Sequence, residues 1–78
     1  MNEAAVLAQL GNKIRMRRQE LGWVQRDLAE KTGMHRTYIA DLERGARNVS
    51  IYNLIRLGQA MQTSASSLCK GITIGRPM

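Results

Sequence analysis

One cysteine, one histidine, one tryptophan, two tyrosines and no phenylalanine are spread over 78 residues. Cys69 alone permits no internal disulfide and no all-cysteine metal site, and one histidine adds too few ligands for a zinc centre. So few aromatics leave no platform on which exposed bases could stack. The narrow major groove of A-form RNA also resists side-chain reading, which sets RNA aside as a partner. No nucleophile–base pair, metal-ligand set or phosphate loop is present, so neither enzyme chemistry nor a cofactor is expected. No apolar run approaches the ~20 residues of a membrane span. The basic residues do not line one face of a strongly apolar helix, which argues against a membrane-surface role. The first apolar residues are interspersed with Asn, Glu and Gln, unlike a signal peptide, and a reducing cytoplasm is the expected setting.

Acidic residues are also scarce. Six Asp and Glu stand against twelve Lys and Arg, a formal charge of +6 and a pI near 10.5. Such an excess either favours a polyanionic partner or simply keeps a basic protein soluble. A hydrophobic content of 44% with 23% charged residues describes a folded globule. The length allows one core, in a domain small enough that a partner subunit would add to its stability.

What is present is helical periodicity. After a lead-in over residues 1–5, Leu7, Leu10, Ile14 and Leu21 recur at helical spacing from Val6 to Leu21. Gly11 beside this stripe costs ~1 kcal/mol relative to Ala unless close packing requires it. Lys13, Arg15 and Arg17 form the opposite, solvated face, and Gly22 ends the helix. Trp23 either touches the partner or covers the edge of the core. A second helix is expected over Gln25–Lys31 and a third over Arg36–Glu43, the latter ended by Gly45. Ser50 caps a fourth helix with Ile51, Leu54, Ile55, Gly58 and Met61 buried and Leu57 at the margin. Ser64 caps a short fifth helix reaching Leu68 to Lys70. The expected whole is a compact five-helix all-α domain, one unit over residues 1–78 with a core from about 7 to 70. The segment 71–78 is left as an edge strand, a dimer contact or a loose tail.

The second and third helices are joined only by Thr32-Gly33-Met34, a sharp turn in which Gly33 can take a positive φ. Leu28, Ile39 and Leu42 would pack inward, and Ala29 is small enough for a close crossing. This is a helix-turn-helix arrangement. It leaves Arg36, Thr37, Ala40, Asp41 and Arg44 free to enter the major groove of DNA. Arg36 and Thr37, at the start of the helix, are best placed to read base edges. Ala40 and Asp41 lie one turn on; Asp41 accepts from cytosine or serves as an ion-pair partner for Arg44 or Arg36. Tyr38 donates to a phosphate or belongs to the core. Arg44, Arg47 and Asn48 are candidate phosphate clamps, and Ser50 a further one.

Gln25, Leu28-Ala29, Gly33, Ile39, Leu42-Glu43, Gly45 and Ser50, in their spacing, resemble the Cro/C1-type helix-turn-helix proteins, the XRE family. The resemblance covers roughly Leu10 to Leu68. Arg36 to Ile51, RTYIADLERGARNVSI, is most similar to the controller proteins of restriction–modification systems. It implies a stand-alone homodimer, bacterial or phage-encoded, that binds a palindromic double-stranded DNA operator and regulates transcription, with RNA polymerase as a further candidate partner. It also implies that Gln25 bonds a phosphate and braces the start of helix 3, and that Arg18 pairs with Glu43. Val24 and His35 depart from the family's usual capping residues, as do Gln62-Thr63 and Ser66-Ser67 from its usual Gly-Val and acidic pairs. Tyr52, Leu57, Leu68, Ile72 and Ile74 are the candidate dimer surface, unless they only close the core. The rival readings are a phage- or chromosome-type repressor of the same family and a helix-turn-helix reused as a protein-binding adaptor. Exposed arginines where an adaptor would show apolar residues speak against the latter.

Overall fold

The computed structural model describes residues 2–74. Five helices follow one another: α1 Glu3–Glu20, α2 Gln25–Thr32, α3 Arg36–Glu43, α4 Ile51–Ala60 and α5 Ala65–Cys69. No strand occurs among the described residues, so the all-α expectation holds and Ile72 and Ile74 form no edge strand. Residues 75–78 of the expected tail lie outside the described residues.

α1 begins earlier than the apolar stripe indicates. The Asn2 side chain accepts from the backbone N–H groups of Ala4 (2.9 Å) and Ala5 (3.4 Å), so the expected lead-in is already helix from Glu3. Ser50 and Ser64 cap α4 and α5 as expected, accepting from Asn53 N–H and Ser67 N–H. Val24 has no side-chain acceptor to offer, but Asp27 Oδ2 accepts from its N–H at 2.9 Å. That is the half of a capping box that needs no hydroxyl.

α1 packs across α3 and α5, α2 lies on α3 and α4, and α4 lies on α5. Leu10, Ile14, Leu28, Ile39, Leu42, Leu54, Leu57, Met61 and Leu68 fill the space between them. Burying each such side chain contributes about 1.5–3 kcal/mol relative to leaving it in water. Trp23 is half-buried against this cluster, so its ring covers the core edge. The Lys31 ammonium lies over the ring, 5.0 Å from its centroid.

α4 is rotated from its expected orientation. Leu54, Leu57, Gly58 and Met61 face inward, while Ile51 and Ile55 are 67% and 44% exposed. Leu57 and Leu68 are therefore corrected as candidate dimer residues: both are buried inside one chain's own core. Ile72 also packs onto that core. Tyr52 and Ile74 remain exposed, joined on the surface of α4 by Ile51 and Ile55.

Gly11 is explained by the crossing of α1 and α3. A Cβ there would sit 2.3 Å from the Leu42 carbonyl oxygen and 2.7 Å from that of Glu43. The helix tolerates a glycine at mid-length because the end of α3 rests directly on its backbone.

Candidate nucleic-acid interface

The turn between α2 and α3 is built by its own residues. Gly33 adopts φ +74°, and its N–H donates to the Ala29 carbonyl at 2.8 Å. The buried Thr32 hydroxyl donates back to Leu28 O and accepts from Met34 N–H, which fixes the direction in which the chain leaves α2. α3 then starts at Arg36 without a side-chain cap from His35. Arg36 and Thr37 are exposed at its first turn, and Ala40 and Asp41 are half-buried one turn on. Asp41 is paired with Arg44, the ion-pair partner weighed for it.

Beneath this surface lies a buried charge cluster. Arg18 Nε and Nη2 donate to the two carboxylate oxygens of Glu43 at 2.7 and 2.8 Å. Arg18 Nη1 donates to Trp23 O at 2.7 Å, and Gln25 Nε2 donates to Glu43 Oε1 at 3.1 Å. The hydrogen bonds that Arg18 donates to Glu43 raise the Arg18 pKa above its ordinary value; burial works against this, and the Glu43 charge adds to it. The guanidinium therefore stays charged wherever the protein is folded under ordinary conditions. Gln25 differs here from what the resemblance implies: in the free protein it braces the glutamate that ends α3, not the start of that helix.

Tyr38 is half-buried on the core, so its ring is structural. Its hydroxyl accepts from Asn53 Nδ2 at 3.1 Å, and the Arg47 guanidinium lies over the ring, 4.9 Å from the centroid. The loop after α3 is thereby drawn back onto α3. Asn48 is exposed, with its Oδ1 accepting from Val49 N–H and its amide reaching Glu3 at 3.4 Å. Ser50 is exposed where it caps α4.

Arg26, Asn53 and Arg56 carry no functional signal in the residue pattern. Arg17 lies on the face expected to be solvated, yet its Nε donates to Met61 O at 2.9 Å and caps the end of α4. Arg56 does the same for α2, donating to Thr32 O. Arg26 shares the cleft between α2 and the start of α3 with Arg36 and His35, and thus widens the basic surface. The one available signal was a charge at the margin of an apolar stripe, as at Arg56 beside Leu57. Among the described residues no His, Cys, Asp and Glu cluster could hold a metal, and no helix is long and apolar enough to cross a membrane.

The family model HTH_3, Helix-turn-helix, matches residues 14–68, from the middle of α1 to α5. The chain belongs to this helix-turn-helix family. Control protein C.BamHI of Bacillus amyloliquefaciens is 39% identical over 66 residues, covering 83% of this chain and 82% of the relative. The restriction–modification controller protein C.AhdI from Aeromonas hydrophila superposes with a TM-score of 0.77 at 35% identity, covering 80% of this chain and 94% of that one. A second controller, C.Esp1396I, solved as a tetramer in complex with its natural 35-base-pair operator, superposes with a TM-score of 0.74 at 33% identity over 81% of this chain and 83% of that one.

Proposed function

We propose that this protein is the controller of a restriction–modification system, a homodimer that binds a palindromic operator in the bacterial cytoplasm. It is a DNA-binding transcription regulator of the helix-turn-helix type, and the controller relatives support the narrower reading. The observation that carries it is the exposed Arg36-Thr37 pair on a helix whose other end is locked by the buried Arg18–Glu43 pair.

In this reading Arg36 pairs bidentately with guanine O6 and N7, and Thr37 meets a thymine methyl or a phosphate. Ala40 and Asp41 border the next base pair, with the Asp41 charge offset by Arg44. Gln25, Tyr38, Arg44, Arg47, Asn48 and Ser50 supply phosphate contacts that set register without reading sequence. Arg26 adds to that set. Dimerisation uses the exposed apolar face of Ile51, Tyr52 and Ile55 with Ile74, in place of the buried Leu57 and Leu68. Two-fold pairing would set two α3 helices about one turn of DNA apart, ~34 Å. RNA polymerase is a further proposed partner of the bound complex.

Selection from a random-sequence duplex pool, followed by a salt titration, tests this. A palindromic site, bound with an affinity that falls steeply in salt, is the expected result. Salt-sensitive binding with no enriched site would refute operator recognition, and no binding at low salt would turn the reading to a protein adaptor.

A further inference from the structure

The Tyr38 hydroxyl is oriented from outside the helix pair, by two residues of α4. Arg56 is half-buried. It donates to Asn53 Oδ1 at 3.1 Å and to the Thr32 carbonyl, and its guanidinium lies 5.5 Å from the centroid of the Tyr52 ring. A guanidinium has only donors and does not lose its proton in a protein. The Asn53 amide must therefore turn its oxygen to Arg56, which leaves Nδ2 for Tyr38, 3.1 Å away. A phenol oxygen that accepts from Asn53 has to direct its own proton elsewhere. The Tyr38 ring is held in place by its packing on the core and by the Arg47 guanidinium over it.

We infer that Asn53 and Arg56 make Tyr38 an outward hydrogen-bond donor, matched to an acceptor on DNA and unable to serve a donor. This rests on the DNA-binding reading of the same surface. The fitting groups are a phosphate oxygen, the N7 of guanine or adenine, guanine O6 and thymine O4; the amino groups of cytosine and adenine do not fit. Asn53 and Arg56 are positioning residues that act through Tyr38.

Asn53→Asp is the informative change, because a carboxylate of the same shape keeps Arg56 but can only accept. It would draw the Tyr38 proton inward. Isotope-edited infrared spectra of the tyrosine C–O stretch, recorded on DNA-free protein in a Tyr52→Phe background, read this directly. The expected result is a shift from an amide-accepting phenol to one donating to a carboxylate. An unchanged band overturns the inference without reference to DNA.

Affinity for an operator obtained by selection is the second readout. The added charge of Asn53→Asp repels phosphates whether or not Tyr38 keeps its hydroxyl. Its cost should nevertheless be about three- to tenfold greater per half-site with Tyr38 than in a Tyr38→Phe background. Equal costs in the two backgrounds overturn the inference. Asn53→Ala, which frees the hydroxyl without reversing it, should cost less than Asn53→Asp, and the opposite order also overturns it. A hydroxyl contribution that is equal on random duplexes assigns the acceptor to phosphate; one confined to the operator assigns it to a base. If the native protein bound no duplex at all, the DNA reading itself would fail, a result separate from the infrared outcome.

Discussion

Replacing Arg18 with methionine should damage the fold severely, and more than Glu43→Gln. The Glu43 side chain is 2% exposed and that of Arg18 9%. Without Arg18, the carboxylate stays inside with only the Gln25 amide to meet it, so the cost is about 3–5 kcal/mol. A domain of this size has roughly 4–12 kcal/mol in total, so its melting temperature should fall by roughly 15–30 °C. Glu43→Gln is gentler, because the amide oxygen still accepts from Arg18 and Trp23 O still engages Nη1. That change should cost about 1–3 kcal/mol. Thermal melts followed by circular dichroism provide the assay. A melting temperature within about 5 °C of the native protein would refute the reasoning. So would a Glu43→Gln variant less stable than Arg18→Met.

Gly11→Ala should destabilise by about 1–3 kcal/mol although alanine is the better helix former, because the new methyl meets two carbonyl oxygens at the end of α3. A higher melting temperature would contradict that contact. Arg36→Ala should cost about 1–3 kcal/mol at one operator position and relax base preference there; equal losses on operator and random DNA would remove it as a base reader. Arg47→Ala should weaken binding to every duplex alike and flatten the salt slope by about one unit, measured by titrating affinity against salt. Ile55→Asp should abolish self-association in sedimentation equilibrium while leaving the helical spectrum of the monomer intact, since the side chain is already 44% exposed. A dimer that survives this change would place the interface elsewhere.

The bounds of α3, Arg36–Glu43, were legible because Ile39 and Leu42 share a face and Gly45 closes the pattern. Ser50 and Ser64 were legible as caps because a hydroxyl before an apolar run has few other uses. The face of α4 was not. Residues 51, 54, 55 and 58 follow the same helical spacing as residues 54, 57, 58 and 61. Periodicity therefore cannot choose between the two, and it is packing against the rest of the fold that selects the second. Arg17 and Arg56 were illegible for a related reason. Each caps a carbonyl, Met61 O or Thr32 O, that lies far away along the chain. The Arg18–Glu43 pair, though equally distant in sequence, came from the family resemblance and not from spacing. The start of α1 was missed because Asn2 acts through its side chain, ahead of any apolar repeat.

The α2–α3 pair is gripped at both ends: by Arg18 and Gly11 of α1 at the far end of α3, and by Arg56 of α4 at the end of α2. The helix pair is consequently not a cassette. Residues 25–43 grafted onto another scaffold would carry the turn and the exposed face of α3, but not the contacts from α1 and α4 that brace the two helices. A transplant that is to keep its operator preference has to bring the neighbouring helices with it. Altering that preference is better done by exchanging side chains on α3 in place.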